Sequence, residues 1–180
     1  MGILLGIARH AFPKAPMELI DRAVVTCEEG IHGDYRGAMK RKPYRRQMTL
    51  IERGDWAAAL AEIGGSIGWE KRRSNLLIDH FDLPQVPGTL LRIGADVILE
   101  ITRETDPCER MEALAPGLKA ALLPDWRGGA CAMVRQGGVI AVGDRIRIEE
   151  TWTSPSERST TSQGTSGATS AASASSSARI

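Results

Sequence analysis

Three cysteines, three histidines and several clustered arginines are the residues through which this 180-residue chain could do chemistry. Cys27, Cys108 and Cys131 are odd in number and widely spaced. They make a disulfide framework improbable, and without a C-x-x-C pair or a neighbouring histidine they do not supply the tetrahedral ligand set of a structural zinc. Cys27 in AVVTC and Cys131 in CAMV read as small core residues of strands. Cys108 differs, because it follows Pro107 in ETDPCERME, a polar loop leading into a predicted helix whose first turn holds Glu109. Aligned peptide dipoles at a helix start favour a thiolate, so Cys108 is the candidate reactive thiol.

Three further segments read as anion sites, each with a plainer alternative. In EEGIHGDYRGAMKRKPYRRQ, Gly30 and Gly33 allow a tight turn and close approach to a ligand, and Lys40, Arg41, Lys42, Arg45 and Arg46 follow. A solvated charged loop is the bland reading. Asp34 either orients one of these cations or stabilises a turn. In EKRRSNLLI, an extended backbone would project Arg73 and Asn75 from one face and turn Arg72 to solvent. A guanidinium beside a carboxamide suits phosphate or carboxylate, although a rim salt bridge and a turn cap would use the same residues. In DWRGGACA, Arg127 precedes Gly128-Gly129, whose amides can form an anion-binding concavity or merely a turn. His10, His32 and His80 are too scattered to argue for a metal, and no Ser/His/Asp or paired-carboxylate pattern is legible.

The elements that must position these residues are mostly strands. Gly2–Ala8, Arg22–Thr26, Gln47–Ile51 and Asn75–Ile78 are short apolar runs bounded by turn residues. TLLRIG and ADVILEIT, divided at Gly94, add two more. Trp56, Leu60 and Ile63 share one helical face in ERGDWAAALAEIG, which Gly64-Gly65 closes, and Pro116 divides ERMEALAPGLKAALLP into two short helices. CAMVRQ, GVIAV and DRIRIEE read as a meander turning at Gly137-Gly138 and Gly143-Asp144. About eight strands with few helices predict a mainly β fold, a closed β-barrel or sandwich with peripheral α-helices.

Residues 1–153 form the predicted domain. From Ser154 onward 14 of 27 residues are Ser or Thr and only Ile180 is large and apolar, so 154–180 reads as a disordered tail. With Lys+Arg 23 against Asp+Glu 22, and two of those cations and one of those anions in the tail, the domain itself is neutral. A general nucleic-acid binder would show a basic excess. No apolar run approaches the roughly 20 residues of a membrane span, and MGILLGIARHAFPKAP has no secretory pattern. The expectation is a soluble, cytoplasmic protein.

Taken in order, GIHGD (30–34), RQMTLI (46–51), RRSNLLI (72–78), LRIG (91–94), DPCERM (106–111), PGL (116–118), RGG (127–129) and GGVIAVGD (137–144) resemble the MOSC family, named for the C-terminal domain of molybdenum cofactor sulfurases. The resemblance runs from about Leu4 to Ile148. It implies a closed MOSC-type β-barrel with a cleft for a molybdenum-bearing or sulfur-bearing ligand. Cys108 would ligate molybdenum or carry a persulfide. Arg73, Asn75 and the cations near Arg46 would hold the phosphate of a pterin, the molybdenum cofactor, with Gly33, Asp34 and Arg127 as further cofactor contacts. The implied activity is reduction of N-hydroxylated compounds with an external electron-transfer partner. Two alternatives are a sulfur carrier loaded by a cysteine desulfurase and a non-catalytic ligand-binding module. The chain has no lysine-bearing aminotransferase-type domain, so pyridoxal phosphate is not expected.

Overall fold

The computed structural model describes residues 1–37 and 46–150. Lys40, Arg41, Lys42, Arg45 and the Ser/Thr-rich stretch from Ser154 lie outside the described residues. The strands are β1 (Gly2–Arg9), β2 (Glu18–Ile20), β3 (Arg22–Thr26), β4 (Gly30–Ile31), β5 (Met48–Glu52), β6 (Leu76–Asp79), β7 (Leu90–Ile93), β8 (Val97–Glu104), β9 (Ala130–Gln136), β10 (Gly138–Ala141) and β11 (Arg145–Ile148). The helices are α1 (Arg53–Glu62), α2 (Glu109–Leu114) and α3 (Leu118–Ala121), with single 3₁₀ turns at Trp69–Arg72 and Pro124–Trp126.

Seven strands close a ring in the order β1, β11, β7, β8, β9, β5, β6 and back to β1. All neighbours are antiparallel except β5 and β6, which run parallel across the α1 crossover. The seam is the short pairing of Gly2 with Ile146 and Ile3 with Arg145. β2 pairs with the far end of β1, and β3, β4 and β10 form a separate three-stranded sheet. Closure removes the free edges that an open sheet would expose. Gly6 follows a register shift in β1 that brings the backbone against Trp69, where a Cβ would stand 2.6 Å from the indole. Only glycine fits that approach.

The apolar pattern explains the layers. In β5 and β6, Leu50, Leu76 and Ile78 face the central core while Ile51 and Leu77 face the helices. Strands buried on both faces read as continuous apolar runs, as MTLI and NLLI do. The central cluster also takes Leu4, Ile7, Met48, Leu91, Ile93, Val97, Leu99 and Ile101. A second cluster packs Trp56, Leu60, Met111, Leu118 and Leu122 of the helical layer against β5 and β6. Each buried large aliphatic contributes about 1.5–3 kcal/mol, so the two clusters fix the barrel and its helical cap independently of any bound group.

Two local expectations are corrected. The last three strands are not a meander: β10 pairs with β3, whereas β11 leaves it to lie between β7 and β1. Closing the ring needs a strand at that position, and this outweighs the pairing implied by short turns. β2 and β4 are too short to show periodicity in the sequence. Cys27 is exposed in the turn that follows β3, whereas Cys131 is fully buried in β9. No helix among the described residues is long and apolar enough to cross a membrane.

Candidate functional site

Between the N-terminal ends of β5 and α2 lies a cavity of about 440 Å³. Its walls carry Cys108, His10, Tyr35 and six cations, Lys14, Arg36, Arg46, Arg72, Arg73 and Arg110, against one carboxylate, Asp106. Even Asp106 is engaged elsewhere, accepting a 3.2 Å hydrogen bond from Arg103. Such a wall is built for an anion.

Cys108 caps α2 with an extended backbone, and its side chain is exposed. Two residues on, Arg110 reaches the same cavity from the first turn of α2, and Met111 closes the floor as a fully buried side chain. Extended backbone at Cys108 followed by a helical turn is the usual conformation of a residue that precedes a helix start.

Arg72 is the structural centre of the cavity. The sequence reading placed it toward solvent; instead it is buried, and its guanidinium donates to Gly128 O at 3.1 Å and 2.7 Å and to Thr105 O at 2.7 Å. The reason is the backbone: Trp69–Arg72 is a 3₁₀ turn that ends with Arg73 in the left-handed region at φ 64°. Arg73 and Asn75 therefore do not share one face of an extended segment. Arg73 lines the cavity and donates from Nη1 to Ala15 O at 2.6 Å. Asn75 is buried behind it, accepting from Thr49 N and Thr49 Oγ1 at 3.1 Å and donating to Ala8 O at 3.2 Å. That network joins β5 to β1 and leaves the carboxamide engaged with protein.

The glycine pair acts through a carbonyl. Gly128 presents its oxygen to Arg72, and Gly129, at φ 94°, packs so close to β5 that a Cβ would stand 2.0 Å from Leu50 O. Arg127 points away from the cavity to Glu62, at 2.5 Å. Gly33 sits against Arg9 rather than on the cavity wall. Asp34 is buried beneath the wall, where Oδ1 accepts from His10 N and meets His10 Nδ1, both at 3.0 Å, and Oδ2 accepts from Gly37 N at 3.2 Å. It acts on the cavity through His10.

The cations strain against one another. Burial pushes Arg46 below its usual range, and repulsion from Arg36 adds to it. Burial lowers Arg72 to about 10, with Arg46 as the next cause. Arg36 and Arg73 are also lowered, chiefly by burial. A thiolate at Cys108 would oppose the shift at both Arg46 and Arg72. Burial also pulls His10 down, with Arg73 and Arg36 reinforcing it and Asp34 opposing. Arg46 Nε and Arg73 Nε are buried without a hydrogen-bond partner among the described residues. Buried donors of this kind are costly unless a ligand satisfies them.

Of the residues singled out by sequence, Cys108, Arg46 and Arg73 meet at the cavity, and Asp34 supports it from beneath. Sequence reasoning missed His10, Tyr35, Arg36, Arg72 and Arg110. Arg110 was within reach as the cation two residues after Cys108; His10 lies 24 positions from Asp34, and no local pattern marks that pairing.

Comparison with known proteins agrees with this architecture. Residues 32–147, well over half of the chain, match the family model of the MOSC domain. Among solved structures the chain is similar to the YuaD protein from Bacillus subtilis, with a TM-score of 0.65 and 19% identity over 81% of this chain and 94% of that one. It is also similar to YiiM from Escherichia coli, with a TM-score of 0.61 and 12% identity over 84% and 71% of the respective chains. For YiiM from Geobacillus stearothermophilus the TM-score is 0.58 and the identity 14%, over 83% and 73%. No curated protein matches the chain significantly. The ring of seven strands and the residues matched by the family model make this chain a member of the MOSC domain family.

Proposed function

We propose that the cavity binds a molybdenum–pterin cofactor through Cys108 and that the protein reduces N-hydroxylated compounds with electrons from a separate redox protein. The observation that carries this reading is one soft, exposed thiol set among six cations, two of which have buried donors without partners. The donor set fits the group. A thiolate suits a thiophilic metal, and guanidinium forks suit a phosphate. Among the described residues no three His, Cys, Asp or Glu side chains gather, so a metal here would arrive with most of its ligands already supplied.

When bound, the cofactor supplies two-electron exchange at the metal. The chain's own residues do the rest. Arg46, Arg72 and Arg73 hold the anionic end, and Cys108 fixes the metal end after losing its proton. Reduction of R–NHOH to R–NH2 and water consumes two electrons and two protons, so the site needs a proton path. His10, a buried residue on the cavity wall, would serve it: Asp34 engages Nδ1, so Nε2 would be the nitrogen that passes a proton to the bound substrate.

The test is the molybdenum content of protein purified from cells that make the cofactor. Wild type should retain molybdenum near stoichiometry and Cys108→Ser should lose it. An empty wild type, or undiminished metal in Cys108→Ser, overturns the reading.

The exposure of Cys108 favours a second reading, sulfur transfer through a terminal persulfide at that thiol. Incubation with a cysteine desulfurase and cysteine should then add one sulfur to the peptide carrying Cys108, detected by mass spectrometry. An unmodified peptide beside a labelled control protein rejects it.

A further inference from the structure

A second cavity of about 450 Å³ opens beside the first, and Lys14, Arg73 and Arg110 line both. Its remaining walls have a different character. Pro16, Met17, Ala113 and Leu114 are apolar, and Glu70 faces Lys71 at 3.7 Å. The two spaces form one cleft, with a cationic chamber at the thiol and an apolar chamber beyond a threshold of three cations.

The threshold is maintained against local preference. Lys14 and Arg73 both hold left-handed backbone, at φ 64°, which costs a non-glycine residue stability and is concentrated at functional sites. Arg73 spends one donor on Ala15 O at 2.6 Å and keeps a buried Nε without a partner. The second chamber has the volume of a small-molecule site, with apolar walls and polar groups converging at one side.

We infer that the second chamber binds an amphipathic anion, an apolar body bearing one phosphate or carboxylate, with the charge at Lys14 and Arg110 beside the shared Arg73 and the body against Met17, Ala113 and Leu114. The site goes beyond the molybdenum reading and does not depend on it. In a working reductase it would seat the part of a substrate that does not react.

Titration calorimetry on metal-free, full-length protein tests it, with 2-naphthyl phosphate and inorganic phosphate as probes. The aryl ester should bind about tenfold more tightly than phosphate, since only its ring gains from the apolar wall. Ala113 is exposed, so Ala113→Glu should fold normally and reduce that ratio to about unity, with phosphate itself reporting any general repulsion. Met17→Ser should reduce the ratio as well. Equal affinity for the two probes in wild type, or a ratio that survives both substitutions, overturns the inference. Because no metal is present, failure here leaves the molybdenum result untouched, and the converse holds.

Discussion

Strand β5 has an ionisable side chain toward each end, and the two teach different lessons. Arg46 stands two residues before the strand and Glu52 ends it, about 20 Å away at about 3.3 Å per residue. Burial drives both toward neutrality, and both have like-charged neighbours: Arg36 and Arg103 for Arg46, Asp55 and Asp82 for Glu52. Glu52 has a remedy. Its carboxyl is pushed up to about 7, so it takes up a proton near neutral pH, while Oε1 accepts from Leu83 N at 2.7 Å. An arginine has no comparable exit, because guanidinium keeps its proton throughout the physiological range. The same predicament, like charge held partly out of water, is answered by a proton at one end of the strand and calls for an anion at the other.

The comparison requires a rigid middle, and Asn75 provides it through Thr49. Asn75→Ala should cost about 2–4 kcal/mol in urea unfolding, because three buried partners lose their bonds. Phosphate affinity should stay within about twofold; a large loss would make Asn75 a ligand contact and blur the division between frame and site. At the cationic end, Arg46→Met should weaken phosphate about tenfold while leaving the melting temperature equal or higher, since a partly buried charge is removed. A lower melting temperature would show that Arg46 is part of the frame.

At the acidic end the sign follows from the raised carboxyl. Below about pH 4.5 folded and unfolded chains both hold the proton and the contribution is complete. Between 4.5 and about 7 the unfolded chain ionises first, so stability falls as pH rises through that window. Glu52→Gln should flatten this slope and add about 1 kcal/mol at pH 8, a figure reduced for the partial exposure of the group. An unchanged slope would remove Glu52 from the comparison. The smallest effect belongs to Arg127→Ala, a surface partner of Glu62, which should change stability by less than about 0.5 kcal/mol and phosphate affinity not at all.

What could be read from the sequence depended on the range of the forces involved. Periodicity and punctuation located nine of the strands and all three α-helices, because burial repeats along the chain at the period of the element. Closure was legible only as an expectation, since the pairing of Gly2 with Ile146 spans almost the whole domain. Cys108 was legible as a type, a lone thiol after proline before a helix. Arg72 was not: whether it faced solvent or carbonyl oxygens depended on one left-handed residue at Arg73, and arginine gives no local sign of that backbone. The burial of Asp34 against His10 was equally a matter of tertiary contact.

Arg72 also ties the loop leading to Cys108 to the loop leading into β9, gripping Thr105 and Gly128 with the same guanidinium that faces the cavity. Recognition and architecture thus share a single side chain. Whatever settles against it braces two chain crossings at once, so occupancy should register as resistance to heat and to proteases even when no product forms.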